Sequence, residues 1–229
     1  MTAPAARAAV SRGDQTRESL LAAATTAFAR DGYNAVSTRQ IADLAQANQA
    51  LIGYHFGGKE GLYVAVVERV ATQIGAHTGP LLERIEAALD ETREVTSPAA
   101  LRDRLLPALL ELTDGMAALL LRGDSAEWMQ LILREQQTPT TAFDSLYSGF
   151  MGRVAALITE VAGRLRVDQD QTANRVLAAT IMGQLVVFRS GHAGVMRHLG
   201  WAEVDDARVA CVQQVLRGNV TALLAPPQA

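Results

Sequence analysis

The sequence holds one cysteine, Cys211, and one lysine, Lys59; arginine supplies the other 20 of its 21 basic side chains. A single thiol excludes an internal disulfide framework. The four histidines include no pair one helical turn apart, and His192 and His198, six positions apart, fall on different helix faces. A Gly-x-Ser-x-Gly nucleophile elbow is also missing. These absences point away from an enzyme, and neither a metal nor a cofactor is expected. Aromatic residues make up only 5% of the chain, while alanine and leucine are plentiful, which favours helices over sheets. No apolar run is long enough to cross a bilayer and no secretory stretch opens the chain, so a soluble, cytoplasmic protein with no membrane partner is expected.

What is present fits one large domain or a small domain joined to a larger one: 229 residues, nearly half of them apolar. The net charge of −3 argues against indiscriminate coating of nucleic acid. Residues 1–70 carry +1 and the remainder −4, a sign that allows a local DNA contact near the front.

Residues 1–13 have no useful period and contain Pro, Gly and two arginines; they read as a mobile arm. From there an all-helical pattern begins. Leu20, Ala24, Ala27 and Phe28 share a face, and Gly32 stops that helix. Ser37 or Thr38 caps a second, brief helix with Ile41, Leu44 and Ala45 as its inner stripe. Asn48 is a cap candidate for a third helix, with Ile52 and Phe56 inward, Ala47 in the core and Ala50 and Tyr54 outward. Gly57–Gly58 breaks it, and a fourth helix begins near Lys59 with Leu62, Val66 and Val70 on one face. Later breaks are expected at Gly79–Pro80, Ser97–Pro98, Gly123–Asp124, Thr138–Pro139, Val167–Asp168 and residues 191–200, with a stop or kink at Pro107. No strand alternation and no internal repeat is visible.

The stretch GYHFGGKE, residues 53–60, admits two readings. Gly53, four residues, then Gly58 and Lys59 match much of a phosphate-cradling loop. That loop follows a buried strand and needs Ser or Thr after the lysine; here short helices precede it and Glu60 follows. A carboxylate there repels phosphate, and Tyr54 and Phe56 are bulky where backbone amides should crowd an anion. The alternative is a helix-turn-helix with Gln46–Ala47–Asn48 as the turn and the third helix entering a major groove. Lysine at a helix N-terminus opposes the dipole unless an outside anion shares the spot, and a DNA phosphate would do so.

The run STRQIADLAQANQALIGYHFGGKEGLY resembles the DNA-binding signature of the TetR/AcrR family of bacterial regulators. The resemblance covers about 45 residues from Thr16 and rests on Ile41–Ala42, the Tyr54–His55–Phe56 run and Lys59–Glu60 at matching spacing. ILREQQTPTTAFDSLY and the later GQLVVFR and MRHLGW resemble, more loosely, the CecR-like branch. The family often has Gly where Gln46 stands, and commonly Tyr where Gly53 stands, so the turn's shape and base readout at position 53 are open. Gly53 either lets the helix approach the groove or weakens it by ~1 kcal/mol.

The resemblance implies phosphate clamps at Thr38, Tyr54, His55 and Lys59; His55 has local support of the turn as its alternative. Arg39 and Gln40 are placed to reach backbone or a base edge. Gln49 is the preferred base reader, since a carboxamide pairs bidentately with adenine, and Ala50 can meet a thymine methyl. The domain division that follows is 1–13, arm; 14–72, helix-turn-helix with the start of a linking helix; and 73–229, a larger helical bundle for ligand binding and dimerisation. The expected homodimer surface is Val176, Thr180 and Gln184 with Val209, Val212, Leu216 and Val220. The expected pocket residues are Met116, Trp128, Met129, Phe143, Tyr147, Phe150, Met151, Gln184 and Phe188, with Arg134 and Glu135 beside them as an ion pair or polar handles. This set favours a small, largely apolar effector that releases a repressor from a palindromic double-stranded operator. The competing expectation is a helical protein-interaction or ligand-binding module without DNA binding.

Overall fold

The computed structural model describes residues 12–122 and 126–225, and these are helical with no strand among them. The expected arm therefore lies outside the described residues except for Arg12 and Gly13, which already belong to α1 (Arg12–Asp31). The predicted break at Gly123–Asp124 also lies outside them. The chain continues with α2 (Thr38–Leu44), α3 (Ala50–Phe56), α4 (Lys59–Glu91), α5 (Pro98–Leu121) and α6 (Ala126–Gln137). It is completed by α7 (Phe143–Leu146), a π turn at Tyr147–Met151, α8 (Gly152–Leu165), α9 (Gln171–Ser190), α10 (His192–Leu199) and α11 (Asp206–Leu223).

Local chemistry sets most of these limits. Ser37 and Gln40 form a reciprocal capping box on α2, which satisfies backbone donors the helix cannot satisfy itself. Ser97 caps α5 ahead of Pro98, Asp170 caps α9 through Ala173 N–H at 2.7 Å, and Asp205 caps α11 through Arg208 N–H at 2.8 Å. Gly32 closes α1 with φ 83°, a left-handed geometry that strains any Cβ. The break expected over residues 191–200 is confined to Gly191 and Gly200, with α10 between them, and two other expected breaks do not occur. Helices α4 and α5 run through Gly79–Pro80 and Pro107. Both prolines lie on exposed faces while Leu82, Ile85, Leu105 and Leu109 bury the opposite side. Tertiary burial there outweighs the missing backbone bond.

In the N-terminal part Leu20, Ala24, Ala27 and Phe28 of α1 pack with Ile41, Ile52, Leu62 and Val66, as their spacing requires. Leu44 departs from expectation: it is 56% exposed, because the inward side of the short α2 centres on Ile41–Ala42. Ala47 and Phe56 are half-buried against the core. A boundary at 72/73 falls inside α4, which is shared by both halves. In the larger half α5 is central, packed by α4, α8, α9 and α11. Helix α6 lies against α1, so the larger half touches the N-terminal part through a second element besides α4.

Candidate nucleic-acid interface

The turn before α3 keeps its shape without glycine. Gln46 itself takes the left-handed conformation, with φ 52°, and Ala47 N–H still reaches Ala42 C=O at 2.9 Å. Asn48, the expected cap, stands one residue before the N-cap of α3, Gln49, which makes no side-chain cap bond; its Oδ1 accepts from Ala50 N–H at 2.9 Å in an Asx turn that leads into the helix. Helical spacing then groups Gln49, Ala50, Gly53 and Tyr54 on one exposed side of α3, while Ile52 is buried beneath. Tyr54 is 82% exposed, an unusual position for so large an aromatic. A Cβ at Gly53 would meet nothing within 4 Å, so no intramolecular packing requires glycine there.

Several expected side chains already have partners. Gln49 Nε2 donates to Thr38 Oγ1 at 2.8 Å, joining the expected base reader to an expected phosphate clamp. Gln40 Oε1 accepts from Ser37 N–H and Ser37 Oγ, so its carboxamide oxygen is committed to capping α2. Arg39 is exposed beside it. His55 is half-buried, with its ring 4.9 Å from that of Tyr54. Lys59 opens α4 as expected, but its Nζ lies 4.5 Å from the centroid of the Tyr33 ring rather than extending away from the protein.

Two residues here escaped the sequence reading. Tyr33 has no periodic partner in the chain, yet it carries Lys59 on its ring and packs 4.9 Å from Tyr63. Gly61 is required by close approach: a Cβ there would lie 1.8 Å from Phe56 C=O. The next glycine after Gly57–Gly58, three positions on, was a visible signal of that tight crossing between α3 and α4.

Behind this face, Tyr63 donates to the buried Glu135 of α6 at 2.6 Å, and Thr140 donates to the same carboxylate through its N–H and hydroxyl. Burial, then the bond to Glu135, pushes the Tyr63 phenol well above its usual range. Arg134 donates to Arg30 C=O at 3.2 Å. The expected ion pair of Arg134 with Glu135 is therefore absent, and neither residue is a pocket handle; both hold α6 to the N-terminal helices.

A cavity of about 310 Å³, open to solvent with Gln136, Ala179 and Gly183 exposed in its wall, lies between α4, α5, α6, the π turn and α9. Met116, Met129, Phe150 and Met151 line it as expected, with Ile74, Ile132, Met182 and Val186, which the sequence reading missed. Five expected residues are elsewhere. Trp128 lines a neighbouring cleft with His77. Tyr147 stands over the α8–α9 groove, and Phe143 stacks near it at 6.1 Å. Gln184 accepts from Asn219 at 2.9 Å, and Phe188 packs against the core outside the cavity.

The expected dimer surface is half corrected. Val209, Val212, Leu216 and Val220 are at most 5% exposed, because this side of α11 packs on α5 within the subunit. The apolar stripe read from the sequence is real but faces inward. Val176 and Thr180 of α9 are exposed, and the opposite side of α11 exposes Cys211 and Val215. Among the described residues no group of histidine, cysteine and carboxylate side chains is placed to hold a metal. No described helix is long and apolar enough to cross a membrane.

Comparison with known proteins agrees with this geometry. Residues 20–66 match the model "Bacterial regulatory proteins, tetR family", and residues 105–226 match "HTH-type transcriptional dual regulator CecR, C-terminal domain". The HTH-type transcriptional dual regulator CecR of Shigella flexneri is 28% identical over 214 residues, covering 93% of each chain. The HTH-type transcriptional repressor NicS of Pseudomonas putida is 37% identical over 59 residues, 26% of this chain and 28% of that protein. Among solved structures, AibR in complex with isovaleryl coenzyme A and operator DNA shares the fold, with a TM-score of 0.63 and 15% identity over 90% of this chain and 98% of that one. AmtR of Mycobacterium smegmatis does so at a TM-score of 0.58 and 19% identity, over 99% and 90%. The chain belongs to the TetR family of DNA-binding transcriptional regulators, with a C-terminal domain of the CecR type.

Proposed function

We propose that the protein is a repressor that binds a palindromic operator as a homodimer and leaves it when a small effector enters the cavity between α4, α5, α6 and α9. The observation that carries the DNA reading is the outward side of α3: Gln49, Ala50, Gly53 and Tyr54 are exposed together above a buried Ile52. Gln49 is the base reader. Thr38, Tyr54, His55 and Lys59 hold phosphates, with Arg39 adding charge at the start of α2. A phosphate beside Lys59 also meets the first amides of α4, which no side chain caps. Gln40 contributes through its backbone position, since its side-chain oxygen is spent on the capping box.

Two copies pack through the exposed side of α9 and α11, centred on Val176, Thr180 and Val215, which sets the separation of the two readers. Helix α6 connects cavity to reader. Met129 and Ile132 face the cavity, while Arg134 and Glu135 hold α1, α4 and the loop after α6. An effector that favours one α6 position favours one reader spacing, with a coupling of ~1–3 kcal/mol in such systems.

Selection of bound sequences from random duplexes tests this reading. The expected result is an inverted repeat with half-site centres about 34–36 Å apart, lost on Tyr54→Ala or Gln49→Ala. An unenriched pool would instead favour a helical interaction module that does not read DNA.

A further inference from the structure

The cavity between α4, α5, α6, the π turn and α9 changes in chemistry from its buried part to its mouth. Four of the chain's six methionines line it, and Met116, Met129 and Phe150 in its wall are buried. Flexible, polarizable thioethers suit an apolar body of variable shape. None of the described residues in its wall carries a charge. The hydroxyl of Thr78 donates to Ile74 C=O at 3.0 Å, so it has no proton to offer a ligand. Among the described residues that leaves Gln136 of α6 as the side chain able both to donate and to accept. It stands exposed at the mouth with Ala179 and Gly183, and its carboxamide makes no hydrogen bond among the described residues.

We propose that the effector is an uncharged molecule with an apolar body among the methionines and an amide-type group, donor beside acceptor, paired with Gln136 at the mouth. The proposal rests on the reading of this cavity as the effector site. An amide uses both the N–H and the C=O of the Gln136 carboxamide. A carboxylate can use only the N–H and an ammonium only the C=O. Either one gives up hydration with no opposite charge in the wall to replace it. Gln136 also follows Glu135, which holds α6 to Tyr63 and Thr140. The bond that selects the effector therefore falls on the helix that links the cavity to the reader.

Calorimetric titration of the full-length protein with 4-propylbenzamide, 4-propylbenzoate and propylbenzene tests it, with the site located through carbon-13 methionine methyl resonances. The amide and the acid have nearly the same shape and differ in charge. The amide is expected to bind at least tenfold more tightly than the acid and at least threefold more tightly than the hydrocarbon. It is expected to shift the methyls of Met116, Met129, Met151 and Met182 and to leave Met196 unchanged. Gln136→Leu, at an exposed position, is expected to erase the advantage over propylbenzene while leaving the hydrocarbon's affinity within twofold. Equal or tighter binding of the acid, with those four methyls shifted, overturns the uncharged class and leaves the cavity as the effector site. An advantage over propylbenzene that is missing from the wild type, or that survives Gln136→Leu, overturns the pairing with Gln136. If no probe shifts the four methyls, the effector reading of the cavity falls as well.

Discussion

The phenol of Tyr63, on α4, donates to the buried carboxylate of Glu135, on α6, at 2.6 Å across 72 positions of sequence. Tyr63 in turn packs on Tyr33, which carries Lys59 on its ring. One continuous set of contacts thus runs from the element lining the cavity to the residue proposed to hold phosphate. Tyr63→Phe is expected to cost about 1.5–3 kcal/mol, the range for a hydrogen bond to a charged group. It should also blunt effector release more than operator affinity, measured by unfolding and by operator binding with and without effector. The phenol's raised pKa adds a pH signature. Its stabilisation is complete below the unfolded value of about 10 and is lost as pH rises beyond it. The variant should lack that part of the alkaline loss.

Gln49 and Thr38 are expected to act as a unit. The bond to Thr38 orients the carboxamide before DNA arrives, so part of the discrimination attributed to Gln49 depends on Thr38. Gln49→Ala should remove ~1–3 kcal/mol of discrimination at one base pair per half-site. Thr38→Ala should weaken all sequences and also relax that same base pair. The double variant should fall short of the sum, as read from a cycle of affinities for matched and mismatched duplexes.

Lys59→Ala is expected to weaken binding to every duplex alike and to lower the salt slope by ~1 per protomer. A titration series across salt concentrations measures this. An unchanged slope would mean that the ammonium serves only the Tyr33 ring.

Backbone geometry makes opposite forecasts at two nearby positions. Gln46 holds a left-handed conformation that costs an L-residue roughly 1–2 kcal/mol, so Gln46→Gly should stabilise the protein by up to about 1 kcal/mol. Gly61→Ala drives a methyl into Phe56 C=O and should cost at least ~2 kcal/mol, with loss of DNA binding as the crossing of α3 and α4 opens. Thermal or denaturant unfolding measures both.

On α11 the two sides should respond differently to charge. Val215→Glu, on the exposed side, is expected to give a folded monomer by sedimentation, with operator binding lost at concentrations where the wild type is bound. Val212→Glu, on the side packed against α5, should unfold the larger half instead, because it buries an unpaired carboxylate.

The order of the first four helices could be read along the chain because short-range rules set it. A cap at Ser37, an Asx turn at Asn48, a glycine after each of α1 and α3, and apolar residues three and four apart are all local signals. The outward grouping of Gln49, Gly53 and Tyr54 follows from the same helical period. Periodicity finds an apolar face but does not say what covers it. Val209 to Val220 formed a clear stripe, and only the packing of α11 on α5 showed that the same subunit covers it. Trp128, Gln184 and Phe188 had the right chemistry for a cavity, but the rotation of their helices sends them elsewhere. Proline marks a break when nothing holds the helix on both sides; burial of Leu82 and Leu105 held α4 and α5 through theirs. The contacts joining Lys59, Tyr33, Tyr63 and Glu135 are brought together by the chain's path from α1 to α6. Contacts so distant in sequence leave no local pattern, because each residue's partner is chosen by how the helices pack.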